Sequence, residues 1–330
     1  MKNRNLTFAE SINEATSQFM AKRKETILIG QLVDYETGVF GTTSNLVKKF
    51  GKNRVRDFPV AESLMTNLAL GLTIAKKRVI LVHHRLDFML YSMDSIVNWI
   101  SLWRFKSNGK STVPIVIRAI VGKGWGQGPQ HSKSLHSWFS HLPGLKVVMP
   151  TNSFDAKGLL LESIAGENPV IMIEHRSLFN SKSFVPKEMY RVEIGKGIVV
   201  KKGKDISLIA VGYVISESIE AANILQKEGI DVEIIDPRTI SPLDIKLFVK
   251  SVTKTSKIIV VDSSWESFGT ASEIISKISE KCIDKLSAKP VKISFPDSHT
   301  PMTKSLEDVY YPNTQKIVKT IKNIFKNKNH

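Results

Sequence analysis

Short runs of β-branched and aliphatic residues recur along the chain, each followed by a longer stretch of helical character. This alternation restricts the fold more than any other feature. In the first half the runs are ETILIGQLV, KRVILVHH, VPIVIRAIV and LKVVMP. They are apolar almost throughout rather than at every second position, so both faces of their sheet must be covered, which describes a mainly parallel sheet with flanking helices. Glu62 to Ala75, with its small apolar residues, reads as a buried helix, and Asp87 to Phe105 reads as another. A second alternating unit follows: the strand DISLIAVG, the helix SESIEAANILQKEG, the strand DVEIIDPRTI, the helix SPLDIKLFVKSV and the strand SKIIVVDSS. Gly229 is placed to close the first of these helices, and Ser241-Pro242 to open the second with a cap followed by proline.

With 330 residues, 42% of them hydrophobic, the chain has enough material for two α/β cores. The polar, proline- and glycine-punctuated stretch from Asn180 to Asp205 breaks the pattern. The expected division is therefore a first domain over 1–180, a crossover linker over 181–204 and a second, smaller domain over 205–330. Cys282 is the only cysteine, which excludes a disulfide framework and a cysteine metal cage. The first 25 residues carry charges throughout and contain no apolar run, so neither a signal peptide nor a membrane span is expected and the location is read as cytoplasmic. The net charge of +16 is spread along the chain. Its densest run, Lys316 to His330, carries Ile317, Ile321, Ile324 and Phe325 at helical spacing, which favours an amphipathic helix docked on its own domain over a nucleic-acid arm.

Two phosphate-binding signatures fail in detail. GKGWGQG from Gly122 to Gly128 has no G-x-G-x-x-G spacing, and reads better as a flexible loop near a site. GKST from Gly109 to Thr112 lacks the upstream glycine of a phosphate-binding loop, which would fall at Arg104. The histidines, including His83 and His84 and the trio His131, His136 and His141, match no zinc spacing.

What remains is RDFPVAES around Glu62, RLDF ending at Phe88 and PQHS around His131, together with VPIVIRA, HLPGLKVVMPTNSFDAKGLL and IDPRTISPLD. In order and separation these stretches resemble the beta subunit of the decarboxylase component of 2-oxo acid dehydrogenase complexes, over almost the whole chain. The resemblance, which is to a pyruvate dehydrogenase-like member of the transketolase superfamily, implies a pyrimidine-binding α/β domain followed by a domain like the last one of transketolase. It implies thiamine diphosphate as cofactor, with the carboxyl group of Glu62 hydrogen-bonded to N1′ of the aminopyrimidine so that the cofactor can lose its C2 proton and attack a 2-oxo acid. A surface glutamate in a first helical turn would look the same in isolation; the surrounding motif is what separates the two. By the same resemblance Phe88 lies against the aminopyrimidine, where a core phenylalanine is the alternative, and His131 stands near the reacting centre as a proton carrier. The main-chain carbonyls of Ile115, Ser163, Ile164, Gly166 and Asn168 fall where some relatives hold potassium.

Two departures bear on function. Many relatives carry an acidic pair where this chain reads Gly30-Gln31-Leu32, and His83, His84 and Arg85 form a cationic cluster before Phe88 that suits an anionic substrate. No GDG triplet occurs in the sequence, so the resemblance implies that a separate alpha subunit supplies the diphosphate and magnesium grip, in a heterotetramer. The expected activity is decarboxylation of a 2-oxo acid and transfer of the acyl group to a lipoyl-bearing acyltransferase. The alternatives are a transketolase-like carboligase subunit and a noncatalytic basic scaffold.

Overall fold

The computed structural model describes residues 4–123 and 126–326. Among these, 4–123 and 138–194 form one compact unit, and 126–137 and 195–326 form another. Residues 126–137, which carry His131, therefore pack with the second unit although they interrupt the first in sequence. Of the expected loop Gly122 to Gly128, residues 124 and 125 lie outside the described residues, as do residues 1–3 of the N-terminus and 327–330 of the basic tail.

Six strands of the first unit run parallel in the order Lys146–Val148, Val170–His175, Ile115–Val121, Arg78–His83, Thr26–Gly30 and Val55–Asp57. The α/β reading is correct, and its physical basis is visible in the burial: every residue of Ile115–Val121 and of Val170–His175 is buried, as a sheet covered on both faces requires. Asn5–Thr7 and Lys182–Phe184 form a separate antiparallel pair, so the early part of the polar stretch stays with the first unit. Thr7 then opens the helix Phe8–Lys22 with a reciprocal capping box to Glu10. That helix is tied to Ser153–Ala165 by the buried Lys157 ammonium, which donates to Glu14 Oε1 at 2.6 Å and to the carbonyl oxygen of Pro186 at 2.7 Å.

In the second unit the strand order is Val291–Phe295, Ile258–Trp265, Ile206–Val211, Val232–Asp236 and Ile198–Lys201, parallel except for the last, which is antiparallel. The helix Ile215–Lys227 ends as expected, with Gly229 at φ +82°. The basic tail forms the helix Thr314–Lys326, which buries Ile317 and Ile321 and packs on Ile215–Lys227. Lys322 pairs with Glu228 at 2.6 Å, so part of the tail's charge is answered within its own domain. No helix among the described residues is long and apolar enough to cross a membrane.

Three local expectations change. Asp87 to Phe105 is not one helix but a succession: α over Leu86–Met89, 3-10 over Leu90–Ser92, a π segment over Ser95–Ile100 and α again over Trp103–Lys106. The helix Glu62–Ile74 is buried on one face only; Leu64 and Leu68 on the other are exposed. The helix expected to open at Ser241-Pro242 opens later, at Ile245, because Asp244 caps it by accepting from the Leu247 amide at 3.1 Å.

The centre of the first sheet holds a fully buried ion pair. Arg118 donates to Glu174 from Nε at 2.5 Å and from Nη2 at 2.9 Å across neighbouring strands. Two buried charges in a bidentate contact stabilise each other, but either alone faces the full cost of desolvation. Arg118→Met is therefore expected to destabilise the first unit by about 3–5 kcal/mol, and Arg118→Met/Glu174→Leu to recover most of that loss. Denaturant melts of the single and double variants check this, and equal losses in both would refute it.

Candidate active site

In a parallel sheet all carboxyl ends meet at one rim, and loops leaving that rim build binding sites. Here the strand Thr26–Gly30 leads into Gln31, Arg78–His83 into His84 and Arg85, and Val170–His175 into Arg176. At Gly30 a Cβ would stand 2.6 Å from the carbonyl oxygen of Val82, so the two strands approach as closely as glycine allows.

Glu62 opens the helix Glu62–Ile74 and is buried, with its carboxyl in the first turn, where helix amides favour negative charge. Gln31 Nε2 donates to Glu62 Oε1 at 3.2 Å. The residue that stands where an acidic pair was expected thus touches the carboxylate that the sequence pattern singles out. Glu62 Oε2 accepts no hydrogen bond from any described residue.

One helical turn on, the Thr66 hydroxyl donates to the Glu62 carbonyl oxygen at 2.9 Å and lies 3.1 Å from His83 Nε2 and 2.9 Å from Ser92 Oγ. His83 is completely buried, and desolvation pushes its pKa down to about 3. It is neutral at ordinary pH and serves as a polar tie between the strand end and the Glu62 helix. The cationic cluster expected from His83, His84 and Arg85 loses this member.

The other two members stand apart from it. His84 stacks on Phe40 with ring centroids 5.0 Å apart, and the Arg85 guanidinium lies 5.2 Å from the same ring centre. Arg176, which sequence reasoning missed, lies 4.6 Å from the Phe40 centroid and 5.3 Å from that of Phe179. No spacing rule could have paired residues so distant in sequence; the only signal was position, immediately after an apolar strand.

Phe88 follows in the short helix Leu86–Met89 and is 37% exposed, so it is not the core phenylalanine that served as its alternative reading. His131 belongs to the second unit, where its segment is held by several contacts. His136 Nε2 lies 3.0 Å from Asp262 Oδ1, both fully buried, and Ser137 Oγ lies 3.2 Å from Thr270 Oγ1. Glu62, His83, His84, Arg85 and Phe88 thus share the first unit, and His131 sits in the other.

A guanidinium lies at part of the set of carbonyls expected to hold potassium. Arg78 Nη1 donates to the carbonyl oxygens of Ile164, Ala165 and Gly166 at 3.0, 3.3 and 2.7 Å. Two of the five carbonyls assigned to potassium, those of Ile164 and Gly166, thus serve a guanidinium at the carboxyl end of the helix Ser153–Ala165, where positive charge is favoured. Nearby, the Ser163 hydroxyl donates to the Leu159 carbonyl oxygen at 2.6 Å and the Asn168 side chain accepts from Arg104 at 2.6 Å; these side-chain bonds do not engage the main-chain carbonyls of Ile115, Ser163 and Asn168.

Comparison with known proteins supplies the lineage. The family model described as the transketolase pyrimidine-binding domain matches residues 4–182, and the transketolase C-terminal domain matches 195–317. The beta subunit of the pyruvate dehydrogenase E1 component of Staphylococcus aureus is 36% identical over 318 residues, 96% of this chain and 98% of that protein, and the Staphylococcus epidermidis protein of the same name matches equally. The chain belongs to the family of pyruvate dehydrogenase E1 beta subunits. Among solved structures, one described as a split-gene transketolase in an inactive beta4 tetramer superposes with a TM-score of 0.80 over 98% of this chain and 100% of that one, at 22% identity. That likeness speaks for the fold.

The buried histidines give the family member a pH signature. His175 is also buried, and desolvation followed by the charge of Lys123 lowers its pKa to about 3. Both values lie below the ~6.5 of an unfolded histidine, so below that pH the unfolded chain binds protons that the folded chain refuses. The stability they contribute is complete above pH ~6.5 and declines by about 1.4 kcal/mol per pH unit per histidine as the pH falls towards 3. His83→Gln is expected to flatten the fall in melting temperature between pH 6.5 and 4, and an unchanged slope would exclude His83 as a source.

Proposed function

We propose that this chain is the beta subunit of a thiamine-diphosphate-dependent 2-oxo acid dehydrogenase and that Glu62 is its catalytic carboxylate. The observation that carries the reading is the buried Glu62 carboxyl held by Gln31 at one oxygen, with the other oxygen engaged by no described residue. The arrangement suits an aminopyrimidine: Glu62 Oε2, when protonated, can donate to N1′ and, once the proton has passed, accept from it, and Phe88 offers an exposed apolar ring in the same unit. When bound, thiamine diphosphate supplies the electron sink for decarboxylation.

The residues of this chain then have separate tasks. Glu62 holds or releases the proton at its Oε2, Gln31 fixes the carboxyl through Oε1, and Thr66 with His83 holds the helix that carries it. His131, from the second unit, serves as a proton carrier towards the substrate or the acyl acceptor. A separate alpha subunit is assigned the diphosphate and magnesium, since this sequence contains no GDG triplet. Exposed apolar residues support such a partner: Leu64, Tyr91 and Trp99 are exposed on segments that pack on one another, and Val60 is 84% and Phe105 88% exposed. The assembly is read as a cytoplasmic heterotetramer that passes its acyl group to a lipoyl arm.

With the alpha subunit present, Glu62→Gln is expected to lower cofactor-dependent carbon dioxide release by about 10²- to 10⁴-fold, the range for loss of a positioned acid–base group. Far-UV circular dichroism should be unchanged. Turnover retained in that variant would remove the assignment, and acyl-lipoyl product in the wild-type reaction identifies the acceptor.

A further inference from the structure

The second unit carries a groove of about 660 Å³ that shares no residue with the candidate active site. Four lysines from three segments line it: Lys196 in the expected crossover, Lys246 and Lys250 one turn apart on the helix Ile245–Thr255, and Lys281 near the end of the helix Thr270–Cys282. All four are exposed, and their ammonium groups make no ion pair or hydrogen bond with any described residue. Other lysines of the same two helices are answered. Lys254 pairs with Glu233, and Lys277 lies 3.9 Å from Glu273 and 3.3 Å from Glu280.

The one carboxylate in the described lining is already engaged. Asp244 accepts from the Leu247 amide through Oδ1 at 3.1 Å and from the Gly197 amide through Oδ2 at 3.2 Å, so backbone donors hold both of its oxygens. Between them they leave four cations facing one carboxylate that answers none of them. Lys246 and Lys250, like charges four residues apart on one helix, also repel each other, and an anion held between them relieves that repulsion. The rest of the described lining is apolar: Leu243, Ile245 and Val249, each half-buried, beside Gly195.

A volume of this size suits a small molecule, and sites of that kind combine apolar walls with a few polar anchors. Lysine is a compact point charge with three donors, which meets a phosphoryl group from any side. A planar carboxylate is matched best by arginine, and no arginine is among the described lining residues. We propose that the groove binds a small molecule with two or more phosphoryl groups on an apolar body, the chemistry of a nucleoside polyphosphate. The lysines hold the phosphoryl groups, and Leu243, Ile245 and Val249 carry the body. The site lies wholly within the second unit and is independent of the thiamine reading.

The test is isothermal titration calorimetry on the full chain, without divalent ions and at about 0.1 M salt, where charges more than ~10 Å apart are largely screened. The probes are ATP, adenosine, tripolyphosphate and a hexaglutamate peptide. ATP should bind saturably at one site per chain, more tightly than tripolyphosphate or hexaglutamate and far more tightly than adenosine. Lys250→Gln should weaken ATP by about two- to fivefold, the worth of one exposed ion pair, and Lys246→Gln/Lys250→Gln/Lys281→Gln by about tenfold to a hundredfold. A charge-matched control, Lys289→Gln/Lys316→Gln/Lys319→Gln, alters exposed lysines outside the groove and should leave the affinity within about twofold of the wild type. Absence of saturable ATP binding, or equal losses in the two triple variants, overturns the site. Tighter binding of hexaglutamate would give the groove to an acidic protein segment, and tripolyphosphate equal to ATP would remove the apolar floor from recognition; either result overturns the ligand class.

Discussion

Parallel strand pairing is the constraint on which the first unit depends. An antiparallel sheet would distribute its loops over two edges, whereas parallel registry brings Gly30, His83 and His175 to one end. Residues with no sequence proximity, Gln31, Arg85 and Arg176, come to one rim because each follows the end of a strand in that registry. The close approach at Gly30, under the carbonyl of Val82, keeps the first two of these strands aligned to their ends. The carboxylate that faces Gln31 comes from the next crossover helix, so the pairing geometry also decides where Glu62 can stand.

Burial then sorts the polar groups at this rim by what they can still do. His83 is driven neutral by complete desolvation and becomes a tie to Thr66. Arg85 feels the same desolvation, but a guanidinium starts so high that lowering its pKa leaves it charged. The lasting positive field of the rim therefore comes from arginine, not histidine. Deeper in the sheet, Arg118 and Glu174 solve the same problem by pairing, and Arg78 solves it by spreading its charge over three carbonyls at a helix end. Arg118 and Arg78 thus differ in what satisfies them: a carboxylate alone, or a set of carbonyls with Glu167 beside them.

Strands and domain class were legible because apolar runs of fixed length report directly on two-sided burial. Helix existence was legible for the same reason, but helix continuity was not. Asp87 to Phe105 keeps helical spacing through the π segment Ser95–Ile100, and the pattern of side chains does not register an extra residue per turn. Ser241 and Asp244 are both good caps, and which one acts depends on the tertiary path of 239–244. Glu62 was legible only through its motif, since its partner Gln31 reads in sequence as a missing acid. Arg176 and Phe40 were illegible because ring and cation meet through the fold, and the transfer of 126–137 to the second unit left no mark in composition.

The exposed apolar residues of the first unit follow from the same geometry. The helix Glu62–Ile74 must give one face to the sheet, which buries Met65, Ala69 and Leu70 and turns Leu64 and Leu68 outward. A helix meant only for solvent would carry polar residues on that outer face. Gly71 lies on it too, with open space where a Cβ would stand, so another backbone could come close there. Under the proposed function this is the economy of a divided site: a chain that holds the proton-handling carboxylate but no diphosphate motif needs its partner near the helix that carries Glu62. The apolar outer face and the catalytic first turn then belong to one element, so association with the partner would also fix the position of the carboxylate.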